Sequence, residues 1–192
     1  MSSPATSAAL PADVADYISR LSDADTRARQ LLAGVTDRQA NWRPDNGAAW
    51  SIAACLEHMA ITNNSYLAAL QDSVHRAKSG HVPFAPAGWF SRYFLKKAEP
   101  PVTIKIKAPA KIQPPDNINP AEALAHFVAS NEAVSQFAAS TAGLNLGGVR
   151  FKNPFIRGLN FTIATGLLII AAHNRRHLWQ ADRVRQARDF PA

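Results

Sequence analysis

The chain has 192 residues, of which 47% are hydrophobic and 18% are charged, and its formal net charge is +7. This length suits one domain and is too short for two ordinary cores, and the composition excludes an intrinsically disordered chain. Cys55 is the only cysteine, which excludes an intramolecular disulfide and a thiolate-rich metal site, and we expect it to be a small buried residue.

Four helices are predicted from apolar residues that recur at helical spacing. The first spans about residues 11–32, and the second runs from its N-cap Ser51 to about residue 76. The third begins at Asn119, a cap followed by proline at the first helical position, and ends near residue 141. The fourth is expected over about residues 160–188.

A Pro-rich connection, residues 77–118, separates the second and third helices. From Arg76 to Lys111 the chain has eight basic residues and one acidic residue, so this part holds the whole excess of positive charge. We predict a short aromatic helix at residues 89–97 and an extended connection, in preference to a strand, at residues 102–107.

The basic and aromatic composition of this connection has two interpretations. It could bind an anionic partner, or it could be a solvated connection whose aromatic side chains pack on the helices. We favour the second interpretation and predict no nucleic-acid partner.

Four helices without repeats or alternating strands predict an all-α fold, an antiparallel four-helix bundle. Residues 1–192 are predicted to form a single domain in which residues 77–118 are an insert or a crossover connection. The chain start does not have the pattern of a signal peptide, and the longest apolar run, residues 163–172, is far shorter than the roughly 20 residues of a membrane span. We therefore expect a cytoplasmic protein with no membrane partner.

His173 and His177 lie four residues apart in the fourth helix, so they share one face about one turn apart and can bind one ion. A third ligand is expected from another helix, and His58 is the best candidate because small and polar residues flank it beside an apolar stripe. The alternatives are ordinary hydrogen bonds for His58 and an incidental surface pair for His173 and His177. The other histidines lack a partner at useful spacing and are assigned to the surface or to local hydrogen bonds: His75, His81 and His126.

Four residues near the histidines have less specific patterns. Glu57 projects about 100° away from His58 around the helix. It is expected at the surface or in contact with a metal ligand, in preference to acting as the general base. Gln180 could line the cavity or orient a bound water. Trp42 and Trp50 are expected to pack at the mouth of the bundle.

Two stretches are recognisable together: residues 41–59, with Asn-Trp-Arg-Pro followed by Trp-Ser and then His58, and residues 173–180, with the sequence HNRRHLWQ. In order and spacing they resemble the DinB-like superfamily of metal-binding four-helix proteins. The resemblance implies metal ligands at His58, His173 and His177, with open positions for water or substrate. That family includes bacterial thiol-dependent transferases and isomerases.

Three neutral imidazoles leave the charge of a divalent ion uncompensated, which lowers the pKa of a bound water or thiol. With the resemblance, this predicts an enzyme that activates a thiol or water for attack on a small electrophile, as a thiol S-transferase does. A metal-dependent hydrolase and a non-catalytic, metal-stabilised scaffold are the alternatives. Imidazole suits several metals, of which we expect zinc or nickel.

We expect the partners to be a small-molecule substrate and a low-molecular-weight thiol. A homodimer is expected through the fourth helix and residues 89–94, because a surplus apolar face commonly closes as a twofold contact. The pattern assigns no separate catalytic residue and no organic cofactor.

Overall fold

The computed structural model describes residues 9–101 and 108–192. These residues are mostly helical, which confirms the predicted helical class, and their six α-helices are α1 (Ala12–Leu32), α2 (Asp37–Ala40), α3 (Ile52–Val74), α4 (Gly88–Ala98), α5 (Pro120–Ser140) and α6 (Ile163–Arg185). Short 3₁₀ helices occupy Asp45–Gly47, Ala110–Ile112 and Leu146–Gly148. The predicted extended connection at 102–107 lies outside the described residues. No helix within the described parts of the chain is long and apolar enough to cross a membrane.

Side-chain caps stand at the start of α3, α5 and α6, whereas α1 follows Pro11 without one. The Ser51 hydroxyl accepts a hydrogen bond from the Ala54 amide at the start of α3, as the sequence predicts. Asn119 caps α5 in the same way. The fourth long helix begins later than residue 160, because the Thr162 hydroxyl caps α6 and residues 160–162 form a strand.

That strand belongs to a small antiparallel hairpin of β1 (Arg150–Lys152) and β2 (Asn160–Thr162), which pairs Phe151 with Phe161. Both phenylalanines are buried in the core. A Cβ atom at Gly166 would lie 2.7 Å from the Phe151 ring, so only glycine lets α6 approach the hairpin this closely. The hairpin therefore fixes the position of the first turn of α6.

Among the four long helices, α1 and α3 each pack against both α5 and α6. Two contacts between α3 and α5 show their relative direction, because Glu57 meets His126 and Asn63 meets Asn131. The residue numbers rise together along both helices, so α3 and α5 run parallel. The long connection 77–118 makes this possible, since a parallel neighbour needs a crossover and not a tight turn.

The helices α1 and α6 also run parallel. Tyr17 of α1 donates a hydrogen bond to the Leu167 carbonyl, and Arg27 forms an ion pair with Asp182. The predicted antiparallel arrangement is therefore wrong for two of the neighbouring pairs, since helix period and capping carry no information on helix direction.

A buried polar layer joins all four long helices between two apolar clusters of the core. Asn131 of α5 is its centre: its Oδ1 atom accepts hydrogen bonds from Asn63 Nδ2 at 3.0 Å and from Asn174 Nδ2 at 2.9 Å. Its own Nδ2 atom donates to Asp25 Oδ1 at 2.7 Å. This layer fixes the rotation of α6 at the residue next to His173.

The aromatic helix predicted at residues 89–97 is confirmed as α4, which packs against α6. Phe90 and Phe94 contact Phe161 of the hairpin, as the favoured interpretation requires. Trp89 and Tyr93 do not pack on the helices and are exposed. The prediction that the aromatic side chains pack on the bundle is therefore wrong for these two residues.

Replacing Asn131 with alanine removes the shared partner of three helices and leaves buried polar groups unsatisfied. We expect Asn131→Ala to lower the free energy of unfolding by about 2–4 kcal/mol. Urea denaturation measures this loss. The control is Gln136→Ala on the exposed face of the same helix, with an expected change below about 0.5 kcal/mol. Equal losses in the two variants would contradict the role of Asn131.

Candidate metal centre

Three imidazoles from two helices meet at the buried interface of α3 and α6. His58 comes from α3, whereas His173 and His177 come from successive turns of α6. One ring nitrogen of each lies within 4.8 Å of the others, and the Nε2 atoms of His58 and His173 are 3.2 Å apart. The structure thus brings together the three histidines that the sequence singled out.

Hydrogen bonds on the far side of two rings fix their tautomers. The Nδ1 atom of His58 donates to the Ile112 carbonyl at 2.6 Å, and the Nδ1 atom of His177 donates to Gln180 Oε1 at 3.0 Å. With the proton on Nδ1, each Nε2 atom carries a lone pair. This is the usual arrangement of a metal-ligating histidine, whose second nitrogen is held by a carbonyl or carboxylate.

The donor set fits a divalent transition metal. A hydrogen bond between His58 and His173 needs only two nitrogens, yet a third imidazole nitrogen is brought to the same place. The three donors are uncharged nitrogens, which zinc, nickel and copper accept. The cluster therefore has the composition and spacing of a three-histidine metal site.

Burial keeps the imidazoles neutral. Removal from water lowers the pKa of His58 to about 4, although the hydrogen bond to Ile112 opposes the shift. Burial likewise holds the pKa values of His173 and His177 well below the ordinary value, and the positive charge of Arg176 adds to the effect. All three rings are thus unprotonated at neutral pH, the state that a metal ligand requires.

Trp50 covers one side of the cluster. Its ring centroid lies 4.5 Å from that of His58 and 5.6 Å from that of His177. The prediction that both tryptophans pack is confirmed, since Trp42 contacts Phe190 at 5.7 Å. Trp50 shields the rings of the histidine cluster, whereas Trp42 packs against another part of the core.

The remaining predicted residues lie outside the cluster. Glu57 forms a hydrogen bond with His126 at 3.0 Å, and His81 contacts Asp13 at 2.9 Å. His75 is exposed. These positions agree with the surface and local hydrogen-bonding roles expected from the sequence.

Cys55 and Gln180 differ in their relation to the cluster. Cys55 is fully buried in the apolar core, as expected, and burial raises the pKa of its thiol to about 12. It is therefore a protonated core residue at neutral pH. Gln180 was expected to line the cavity or orient a water, and it holds the His177 ring instead.

Two contributors to the cluster were missed in the sequence. The Ile112 carbonyl belongs to the 3₁₀ helix of the crossover connection, and no side-chain pattern identifies a backbone acceptor. Arg176 lies between the paired histidines in the chain, and that position was the available signal. It donates to the Lys97 carbonyl of α4 at 3.2 Å while its charge acts on all three imidazoles.

Two surface cavities in the described parts of the chain are lined by residues other than the histidines. One has a volume of about 460 Å³ and lies between the region of α2 and the start of α5. The other, about 220 Å³, borders Ser51 and Ala54 of α3. His58 and His177 are buried, and His173 has intermediate exposure.

The family model of the DinB superfamily matches residues 20–181 of the chain. The chain belongs to the DinB superfamily. The matched range contains all three clustered histidines and the four long helices except the first turns of α1 and the last turn of α6. Comparisons with curated proteins and with solved structures gave no match.

The metal-free protein should lose stability as the pH falls. Burial lowers the pKa of His58 from 6.5 to about 4 in the folded chain, so the unfolded chain binds a proton that the folded chain does not, and stability falls between pH 6.5 and about 4. His58 should contribute up to about 1.4 kcal/mol per pH unit in that window, and the lowered pKa values of His173 and His177 act in the same direction. Urea denaturation in the presence of a chelator, at a series of pH values, measures the slope.

A matched pair of variants separates the cluster from other titrating groups. His58→Asn should make the pH dependence shallower, and His75→Asn at an exposed position is the matched control. The same slope in the wild type and His58→Asn would contradict burial of a neutral imidazole at residue 58.

Proposed function

We propose that this DinB-superfamily protein is a metal-dependent enzyme that joins a low-molecular-weight thiol to a small electrophilic substrate in the cytoplasm. Its four long helices would serve as a metal-binding bundle, with zinc or nickel held by His58, His173 and His177. The observation that carries the proposal is the convergence of three neutral imidazoles. Among the residues that the structure describes, no fourth histidine, cysteine or carboxylate joins this group. Three protein ligands are typical of catalytic sites, whereas structural sites usually have four.

A divalent ion with three uncharged ligands supplies strong positive charge, which lowers the pKa of a thiol so that a thiolate nucleophile forms near neutral pH. The protein positions its own groups for that purpose. The Ile112 carbonyl holds the His58 ring, and the Gln180 side chain holds the His177 ring. Trp50 excludes water from one side of the cluster, and the half-buried Arg176 favours anionic groups beside it.

The metal content of the purified protein tests the site directly. We expect about one divalent ion per chain by elemental analysis, with a large loss in His173→Ala and His177→Ala. Gln180→Ala should keep the ligands but lower the metal affinity about 10–100-fold, because the His177 ring loses its orienting partner. His126→Ala is the control on an exposed histidine and should retain full occupancy. Full occupancy in a His58→Ala, His173→Ala double variant would refute the assignment.

Turnover tests the reaction. A panel of bacterial thiols and a reactive electrophile, with an ester as the hydrolase alternative, should be assayed before and after chelation. We expect thiol consumption that depends on metal and falls by about 100-fold or more in His177→Ala, since a ligand acts at the reacting group itself. His75→Ala should keep wild-type kcat and KM.

Two results would refute the transferase proposal. Ester hydrolysis without thiol transfer would assign the site to a hydrolase. A metal-loaded protein without turnover, which binds a partner protein equally well as wild type and as His177→Ala, would assign it to a scaffold.

A further inference from the structure

Helix α4 presents aromatic and basic side chains to solvent on the same surface. Trp89 is 73% exposed, Tyr93 is 55% exposed and Phe90 is 42% exposed. The helix contains no acidic residue, and its exposed cations are Arg92, Lys96 and Lys97. Large exposed apolar side chains in one patch indicate an interaction surface.

The β-hairpin supports the inner side of α4. Phe161 of β2 lies 6.2 Å from Phe90 and 5.1 Å from Phe94, measured between ring centroids, so the hairpin lies beside α4. Arg150 and Lys152 alternate with the buried Phe151 along β1, so they lie on the opposite face of the hairpin and do not belong to this surface. We call the exposed side of α4 the basic aromatic face.

This face is held firmly against the rest of the protein. Arg175 of α6 pairs with Glu99 at the end of α4, with an Nε to Oε2 distance of 2.9 Å. At the other end of the helix, the Ala87 amide donates to the Thr165 hydroxyl at 3.1 Å. The exposed aromatic residues are therefore displayed on a fixed element and do not belong to a loose tail.

The charge of the face selects its partner. A twofold contact through α4 would bring its cations close to those of the second copy, because α4 has no acid to pair with them. An anionic partner complements these cations. The expectation of a dimer through residues 89–94 is therefore disfavoured by charge.

The ring geometry favours a lipid surface over a nucleic acid. Single-stranded nucleic acids stack their bases on free aromatic faces. Here Phe90 is already stacked on Phe161 at an interplanar angle of 13°, and the Lys97 ammonium lies over the Tyr93 ring at 5.7 Å. Trp89 stands at 89° to Phe90, so the rings form no parallel row.

We propose that the basic aromatic face adsorbs to the surface of an anionic phospholipid bilayer, with α4 lying in the headgroup plane. Tryptophan and tyrosine suit that interface because each has an apolar body and a polar tip, and lysine and arginine pair with lipid phosphates. This departs from the expectation of no membrane partner, since hydropathy identifies spanning helices and not helices that lie on the surface. The proposal is independent of the metal site and of its reaction.

Sedimentation with sucrose-loaded vesicles tests the proposal on the full chain. We expect binding to phosphatidylcholine vesicles that contain about 30 mol% phosphatidylglycerol at about 0.1 M salt, and little binding to pure phosphatidylcholine. Lys96→Glu with Lys97→Glu should lower the partition coefficient about 25-fold or more, from about fivefold for each lost cation. Trp89→Ala with Tyr93→Ala should lower it about tenfold.

Control variants have matched changes elsewhere on the surface. The double variant Arg38→Glu with Arg188→Glu reverses the same number of charges, and Leu10→Ala removes an exposed apolar side chain. Each of these two control proteins should bind vesicles nearly as the wild type does. Unchanged circular dichroism and metal content in all variants show that the fold is retained. Equal binding to anionic and to neutral vesicles would refute the proposal. An equal loss of binding from the charge reversals in α4 and from those at Arg38 and Arg188 would also refute it.

Two other results would also overturn it in favour of a different partner. Binding of a single-stranded oligonucleotide but not of vesicles, lost in the Trp89 and Tyr93 double variant, would identify a nucleic-acid surface. A concentration-dependent dimer in light scattering, lost in the same variant and accompanied by no vesicle binding, would identify a contact between two copies.

Discussion

The hydrogen bonds of Asn131 are the constraint on which the arrangement of the histidines depends. A helix turns by about 100° per residue, so a small rotation of α6 would move its histidines away from α3. Asn174, which follows His173 directly, is held by Asn131 at 2.9 Å, and the same amide oxygen holds Asn63 of α3. The two helices that carry the imidazoles are thus locked in rotation by one shared partner. Any other rotation of α6 would leave buried side-chain amides without hydrogen-bond partners, which is unfavourable away from water.

The crossover connection contributes to the site as well as linking two helices. Its 3₁₀ helix supplies the carbonyl that sets the tautomer of His58. Its α4 helix contacts α6 at two arginines that lie between the paired histidines. Arg175 pairs with Glu99, and Arg176 donates to the Lys97 carbonyl. A segment whose composition resembles a solvated linker therefore orients His58 and braces the helix that carries His173 and His177. The same helix turns its basic and aromatic side chains outward.

Burial gives the three imidazoles their common property. Desolvation penalises their charged forms, and the nearby charge of Arg176 acts in the same direction. All three rings are therefore neutral at neutral pH, which is the protonation state that a metal ligand requires.

The sequence by itself determined the four long helices and the pairing of His173 with His177, because apolar period, caps such as Ser51 and Asn119, and i to i+4 spacing are local properties of a helix. The sequence also identified His58 as the candidate third ligand, from the small and polar residues on its helix face and from the family resemblance. The contact of His58 with the other two, the Ile112 carbonyl and the parallel direction of α3 and α5 were decided by tertiary structure. These depend on which elements become neighbours, and a local pattern shows which face a helix buries but not what that face meets. The exposure of Trp89 has the same origin: its helix was predictable, whereas only the packing of α4 on α6 decided which aromatic rings remained outside.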